Sequence, residues 1–267
     1  YGNRGWSEPN QVTYMESHDE ERLMHKNLKW GNSSGDYDIT ELPTALDRME
    51  LANAFFLTIP GPRMMWQFGE MGYDLSINWP SGTEDDRLTA KPDVWELGYY
   101  QDEQRLDLYK TVSVLNSLRQ KYDVFTHAGQ VWQENFDQPV KRLRLLGDSQ
   151  DVVVLGNFDV VEQSVNPKFL HTGKWYEFFS GDSINVTDVN ASLTLQPGEY
   201  RLYSDEKMDV DIVTNRIKMN MGDLVLKNEQ ELYHEVSLKF DSITYEDQTK
   251  VKLLEEEEQV RGNLTVD

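Results

Sequence analysis

A short polar run near the start of the sequence, residues 16–22, carries the residue types best suited to act on a bound substrate. His18 and Asp19 lie side by side, directly after the β-prone residues 11–15. Side chains that follow the strands of a parallel sheet meet at one edge, so an imidazole and a carboxylate there could grip and polarise a ligand. An isolated His-Asp dipeptide is more often part of a solvated loop, and the surrounding pattern therefore decides its meaning.

Two other kinds of chemistry are not favoured by these residues. Ser17, His18 and Asp19 are consecutive, and neighbours on an extended chain point to opposite sides, so they do not form a hydrolase triad. The five histidines lie far apart in the sequence, and no pair has the spacing of ligands on one helix face. The sequence therefore nominates no metal-ligating residue and identifies no cofactor.

The elements predicted around the polar run would place it at the edge of a sheet. Residues 43–58 begin with Pro43 at a helix-start position and carry apolar residues on one broad face, which predicts an α-helix. Residues 64–68, which include Trp66, form a short apolar run that predicts a strand buried on both faces. Strand, long helix and strand is the βαβ order of a parallel sheet.

The rest of the chain changes from helical to alternating periodicity. After an irregular stretch at residues 69–100, apolar residues recur at helical spacing over residues 106–121, which predicts a second helix. Beyond residue 122, apolar residues alternate in short segments separated by turn residues, which predicts strands of an antiparallel β-sandwich. The predicted strands are residues 131–136, 140–146, 152–158, 174–179, 191–195 and 199–203.

Composition excludes several classes of partner. The chain has 26 Lys and Arg against 47 Asp and Glu, a net charge of -21, and no clustered basic face, so we expect no nucleic-acid partner. No apolar run is long enough to span a membrane. Cysteine is absent, which leaves the compartment open, and any targeting signal is expected upstream of Tyr1.

Two linked motifs give the sequence a resemblance to the α-amylase family. VTYMESHDEERL, residues 12–23, is similar to the end of the family's seventh barrel strand, which finishes in Asn or Ser followed by His-Asp. GPRMMWQFGEMGYD, residues 61–74, resembles the eighth strand and the loop that follows it. Lys91-Pro92 and Trp95 resemble the loop before the last barrel helix, so the resemblance extends over about residues 12–204.

This resemblance implies an α/β plus all-β fold, namely the end portion of a (β/α)8 TIM barrel followed by an antiparallel β-sandwich. Residues 1–122 would be the C-terminal part of the catalytic barrel, and residues 123–204 the C-terminal β-sandwich domain. Residues 205–267 form an acidic, partly β-prone extension that stays unassigned.

The resemblance also implies a function, the retaining hydrolysis of α-1,4-glucans such as starch, glycogen or maltodextrin. Asp19 would hold the sugar hydroxyls and stabilise an oxocarbenium-like transition state, and His18 would bind the same sugar. Glu20 and Arg22 lie in the same motif and are predicted to bind substrate. The expected partner is therefore an α-glucan oligosaccharide or polysaccharide.

A retaining glycosidase also needs a nucleophilic carboxylate and an acid/base about 5 Å apart. The family carries these on its fourth and fifth strands, which the resemblance places before Tyr1. We therefore expect the isolated chain to be inactive, with the N-terminal part of the barrel as its natural partner. The carboxylates considered as substitutes have no spacing that nominates such a pair: Glu16, Glu20, Glu21, Glu70 and Asp74.

Two functional alternatives stay open. The Ser-His-Asp-Glu form at residues 17–20 recurs in 1,4-α-glucan branching enzymes, so transglycosylation is open as well as hydrolysis. The chain could instead be a noncatalytic carbohydrate-binding fragment.

The resemblance also leaves calcium open as a cofactor, bound by carboxylate and carbonyl oxygens.

Aromatic rings near the predicted site could stack on sugar faces. Tyr73, Trp79 and Trp95 lie in predicted loops and are the preferred candidates. Trp66 lies in the predicted buried strand, so we expect it to belong to the core.

Overall fold

The computed structural model describes residues 10–210 of the 267-residue chain. Most of the predicted extension at residues 205–267 lies outside the described residues. The helices are α1 (Leu23–Trp30), α2 (Leu42–Phe56), α3 (Glu103–Lys121) and α4 (Val124–His127). The strands are β1 (Ser33–Ser34), β2 (Tyr37–Asp38), β3 (Gln130–Glu134), β4 (Val140–Leu146), β5 (Val152–Asn157), β6 (Gln163–Val165), β7 (Gly173–Glu177), β8 (Ser183–Val186), β9 (Leu193–Leu195) and β10 (Tyr200–Ser204).

Both predicted helices are confirmed, as α2 and α3. Pro43 lies in the first turn of α2, where its missing N–H breaks no helical hydrogen bond. Asp102 caps α3, because its side chain accepts the N–H groups of Gln104 and Arg105. These local signals are the reason that the sequence alone locates the two helices.

The predicted βαβ order is present in a reduced form. Thr13, which precedes α2, and Arg63, which follows it, form a single parallel β-bridge. The Thr13 N–H donates to the Pro62 carbonyl at 3.2 Å, and the Met64 N–H donates to the Thr13 carbonyl at 2.9 Å. The polar run therefore follows a chain segment that pairs in parallel with the segment after α2, as predicted.

The prediction that residues 64–68 form a strand buried on both faces is wrong. Their side chains are partly or fully exposed, and Phe68 has a left-handed backbone conformation that ends the extended segment. A parallel strand is buried on both faces only when elements cover both faces and strands pair at both edges. Within the described residues, only the segment around Thr13 pairs with it.

Helix α1 is not predicted by the sequence, because its start carries no local capping signal. Arg22 at the N-cap position makes no side-chain capping bond. Instead, Glu16 Oε2 accepts the Leu23 N–H at 2.8 Å. A carboxylate at this position accepts a hydrogen bond from a backbone N–H group that has no partner within the helix. Its negative charge also interacts favourably with the positive end of the helix dipole. Glu16 therefore fixes the start of α1 directly behind the polar run.

The predicted antiparallel region is confirmed. Strands β3-β4-β5-β10-β7-β8 form, in that order, a six-stranded sheet in which every neighbouring pair is antiparallel. Strands β6 and β9 form a separate two-stranded antiparallel sheet. The sequence does not predict β6 and β8, because three or four residues are too few to show an alternating pattern.

The six-stranded sheet is buried on both faces. On one face, Leu143, Val154 and Leu202 pack against residues of α2 and α3. On the other face, Trp175 packs with Leu195 of β9 and its neighbours. In the first of these two cores the sheet packs against α2, the helix that lies in the sequence between the polar run and its partner segment.

A charged cluster on the edge strand β3 lowers the pKa of a carboxylate. Glu134 Oε2 accepts the Nε–H groups of Arg142 and Arg144, both at 2.8 Å, and Glu134 Oε1 lies 3.2 Å from Lys168 Nζ. Burial opposes the charged form, but the hydrogen bonds from these three cations outweigh it and lower the pKa of Glu134 to about 2.

We expect Glu134→Gln to lower the free energy of unfolding at pH 7 by about 1–2 kcal/mol, allowing for solvent screening. Because the folded pKa lies below the ordinary value of 4.5, this contribution is present above pH 4.5 and is lost as the pH falls towards 2. Urea unfolding at neutral and acidic pH measures it, with the exposed Glu206→Gln as the control. An equal difference at both pH values would contradict the assignment.

Candidate functional site

An open cleft of about 440 Å³ lies beside the polar run. Its lining comes from three stretches of chain, within residues 17–22, 66–73 and 75–93. This volume is in the range of sites that bind small organic ligands. The parallel bridge between Thr13 and Arg63 brings the first two of these stretches together.

Asp19 and His18 project into the cleft, and each side chain is 69% exposed. His18 Nε2 lies 3.1 Å from Asp19 Oδ2. On the other side, Arg87 Nη2 lies 3.3 Å from Asp19 Oδ1 and donates to the Asp19 carbonyl at 2.9 Å. The carboxylate is thus held between an imidazole and a guanidinium while remaining open to a polar ligand.

Ser17 forms the base of the turn that presents this pair. Its Oγ accepts the Asp19 N–H at 3.3 Å, and its carbonyl accepts the Glu20 N–H at 3.4 Å. Hydroxyl-to-backbone bonds of this kind stabilise tight turns. Ser17 is itself buried, so the turn directs the side chains of His18, Asp19 and Glu20 outward.

Arg22 lies in the floor of the cleft and is only 6% exposed. Its Nη1 is 3.3 Å from Glu16 Oε1, in an ion pair that lacks hydrogen-bond geometry, and its Nη2 donates to the Gln67 carbonyl. Its guanidinium also lies 4.9 Å from the ring centre of Tyr73. Burial lowers the pKa of Arg22, and the Glu16 carboxylate opposes that change. These contacts join the polar run to the segment after α2.

The four predicted site residues are therefore brought together at one cleft. His18, Asp19 and Glu20 reach solvent there, whereas Arg22 is mostly covered by its own protein partners. Substrate binding by these residues stays a prediction. Arg87 was not predicted, because it is 68 residues from Asp19 in the sequence and belongs to no motif.

Trp66 is placed differently from the sequence-based expectation. It is partly exposed and lines the cleft, with its ring centre 5.7 Å from that of His18. The ring reaches the cleft because the segment that carries it is not covered on both faces. Its flat face is suited to stack on the apolar face of a sugar ring.

The other aromatic candidates take different positions. Tyr73 lines the cleft, but its side chain is buried and its hydroxyl donates to the Pro92 carbonyl at 2.6 Å. Trp95 is half-exposed and packs edge-on against Phe68, outside the cleft lining. Of the predicted loop aromatics, Tyr73 alone is therefore part of the cleft wall.

Glu21 supports the cleft wall formed by residues 75–93. Its carboxylate accepts the Ser76 hydroxyl at 2.6 Å and the Ile77 N–H at 2.9 Å. Burial opposes the charged form, but these two hydrogen bonds outweigh it and lower the pKa of Glu21. The carboxylate is thus occupied in holding a loop.

Asp74 has a similar structural role. Arg105 Nη2 lies 2.7 Å from Asp74 Oδ2, and the Tyr99 hydroxyl donates to the same carboxylate. Arg105 also donates to the carbonyls of Met71 and Gly72, at 3.1 and 2.6 Å. Burial, together with Asp74, raises the pKa of Tyr99. This network ties the start of the long loop to α3.

Metal ligands do not gather at the cleft in the described part of the chain. Within residues 10–210, one group of three potential ligand side chains lies close enough to hold an ion: Asp151, His171 and Asp205. None of them lines the cleft. Calcium, which carbonyl oxygens can also bind, stays a prediction. No helix within residues 10–210 is long and apolar enough to cross a membrane.

Solved structures with a similar fold include carbohydrate-active enzymes. AmyP in complex with maltose matches with a TM-score of 0.57 at 14% identity, over 75% of this chain and 41% of AmyP. An α-amylase from Geobacillus thermoleovorans, complexed with acarbose, matches with a TM-score of 0.52 at 16% identity, over 74% and 40%. The chain has the α-amylase fold. The gamma-CGTase of alkalophilic Bacillus clarkii matches it with a TM-score of 0.54 at 16% identity, over 77% and 28%.

The resemblance read from the sequence is thus confirmed at the level of the fold. No family model matches the sequence, and no curated protein matches it. This chain spans about two fifths of the length of the two amylases. The α-amylase fold joins a TIM barrel to a sheet domain, which agrees with the parallel bridge and the antiparallel sheets.

Proposed function

We propose that this chain is the C-terminal part of an α-amylase-type glycoside hydrolase that acts on α-1,4-glucans such as starch, glycogen or maltodextrin. Residues 1–122 would contribute the end of the (β/α)8 barrel and residues 123–204 the β-sandwich domain. The observation that carries the proposal is the exposed pair His18 and Asp19 at the cleft of an α-amylase fold. AmyP binds maltose and the Geobacillus enzyme binds acarbose, which supports a sugar as the ligand.

In this proposal Asp19 acts by electrostatics and hydrogen bonding. A retaining glycosidase passes through a transition state with positive charge on the sugar ring, and a carboxylate aimed at that ring stabilises it more than the ground state. His18 and Arg87 hold the Asp19 carboxylate from two sides and so fix its direction. Asp19 would also accept hydrogen bonds from the sugar hydroxyls.

The nucleophile and the acid/base would come from outside residues 10–210. Glu16, Glu21 and Asp74 are each engaged by buried ion pairs or hydrogen bonds that hold the cleft together. Burial raises the pKa of Glu70, but this carboxyl group does not line the cleft. The 267-residue chain alone is therefore proposed to bind α-glucans without cleaving them.

Trp66 offers a test of the sugar-binding role of the cleft. We expect Trp66→Ala to weaken maltoheptaose binding about 3- to 10-fold, because it removes a stacking surface beside His18. Calorimetric titration of the 267-residue chain measures the affinity, with the β-linked cellohexaose as the comparison ligand. Trp30→Ala is the matched control, since Trp30 is exposed and does not line the cleft. Equal losses in both variants, or tighter binding of cellohexaose, would count against the proposal.

A further inference from the structure

Three side chains with metal-binding atoms converge at one end of the six-stranded sheet. Asp151 directly precedes β5, His171 lies in the loop before β7, and Asp205 directly follows β10. His171 Nε2 lies 3.1 Å from Asp205 Oδ2 and 3.9 Å from Asp151 Oδ2. All three atoms lie within 4.8 Å of one another. We call this group the Asp-His-Asp cluster.

The backbone fixes the other polar atom of each of the three side chains. Asp151 Oδ1 accepts the Gly147 N–H at 3.3 Å, and Asp205 Oδ1 accepts the Asp151 N–H at 2.7 Å. His171 Nδ1 lies 2.8 Å from the Thr172 carbonyl, so Nδ1 carries a proton and donates it there. The two Oδ2 atoms and Nε2 are left facing the same space. Backbone partners of this kind orient the ligands of metal sites.

Packing fixes the His171 ring as well. The ring centre of His171 lies 5.0 Å from that of the buried Trp175, and Trp175 Nε1 donates to the His171 carbonyl at 3.2 Å. The imidazole is nevertheless 46% exposed, so an ion can reach it from solvent. The cluster is therefore both pre-oriented and accessible.

The two carboxylates of the cluster are balanced by a positive charge, which either a proton on His171 or a bound metal ion supplies. The hydrogen bond to the Thr172 carbonyl and the two carboxylates raise the pKa of His171, so a proton on Nε2 can donate to Asp205 Oδ2 at 3.1 Å. A metal ion bound at Nε2 would take the place of that proton. Two carboxylates with one neutral imidazole carry the charge that a divalent cation balances.

We propose that the Asp-His-Asp cluster binds a divalent transition-metal ion of the zinc class, with water completing its coordination. Ligands at about 2.0–2.2 Å from a tetrahedral ion lie about 3.3 Å apart, and the observed 3.1 and 3.9 Å bracket that value. Calcium takes about six to eight oxygen ligands, whereas one imidazole and two carboxylates suit zinc. The ion would join the β4–β5 turn, the β6–β7 loop and the end of β10.

The test is a Zn²⁺ titration of the full 267-residue chain after treatment with a chelator. Calorimetry is expected to show one Zn²⁺ per chain, bound more tightly than Ca²⁺, and Zn²⁺ is expected to raise the Tm. His171→Ala and the isosteric Asp205→Asn should each weaken the Zn²⁺ affinity by more than about 10-fold. His127→Ala is the matched control, because His127 is exposed and lies outside the cluster.

Two further measurements keep the test independent of folding. Circular dichroism of each variant checks that the sheet is intact, and the visible absorption of bound Co²⁺ reports an imidazole and carboxylate ligand set. Unchanged Zn²⁺ affinity in both Asp205→Asn and His171→Ala would overturn the proposal. So would the absence of Zn²⁺ binding to the wild type, which would leave a protonated His171 as the cation of the cluster.

Discussion

Replacing Asp19 by Asn is expected to weaken maltoheptaose binding to this chain by at least about 10-fold. The substitution keeps the size of the side chain but removes the charge, and a hydrogen bond to a charged group contributes about 1.5–3 kcal/mol. Because the Asp19 side chain is 69% exposed, the substitution removes little packing, and we expect the Tm to change little. Calorimetric titration and thermal unfolding of the same samples measure the two quantities.

The control for this prediction is Asp85→Asn. Asp85 is exposed and does not line the cleft, so this variant loses the same charge without losing a ligand contact. We expect its affinity for maltoheptaose to match the wild type. If both variants lose affinity equally, the effect comes from the net charge of the chain, and Asp19 has no specific role in the cleft.

Arg22→Met is expected to lower the free energy of unfolding by about 3 kcal/mol. Breaking a buried ion pair from one side leaves an uncompensated charge, here the Glu16 carboxylate under the cleft. The same variant loses the hydrogen bond to the Gln67 carbonyl, which joins the polar run to the segment after α2. Urea unfolding at neutral pH measures the change.

A double-mutant cycle separates the charge from the packing. In the Glu16→Gln background, Arg22→Met should cost less than in the wild type, because no carboxylate is left unpaired. Lys110→Met is the surface control, since Lys110 and Asp107 form an exposed pair for which we expect less than about 1 kcal/mol. Equal costs for Arg22→Met in both backgrounds would show that the ion pair with Glu16 contributes nothing specific.

The parts of the fold that the sequence predicts are those with local signals. Helix α2 has a proline in its first turn and α3 has the Asp102 cap, and both are found close to the predicted positions. Helix α1 has no such signal, because its capping carboxylate belongs to Glu16, seven residues before the bonded N–H of Leu23. A contact of that kind is visible only after the chain has folded.

The candidate site likewise combines residues that the sequence predicts with residues that only the folded chain brings together. His18 and Asp19 are recognisable because they lie in a motif, whereas Arg87 is joined to Asp19 only by the fold. Trp66 lies in an apolar run that predicts a buried strand, and its exposure follows from the single parallel bridge beside it. The Asp-His-Asp cluster could not be predicted either, because His171 and Asp205 are 34 residues apart and meet at the sheet end.

The most direct test of the proposed function is to incubate the 267-residue chain with maltoheptaose and to measure binding by calorimetry and products by chromatography. We expect binding without turnover, because Asp19 contributes to sugar recognition while the nucleophile and acid/base come from elsewhere. If the wild type forms shorter or longer maltooligosaccharides as products, and the Asp19→Asn variant does not, the result contradicts this expectation. A complete catalytic pair would then lie within the chain. The absence of any binding would contradict the assignment of the cleft.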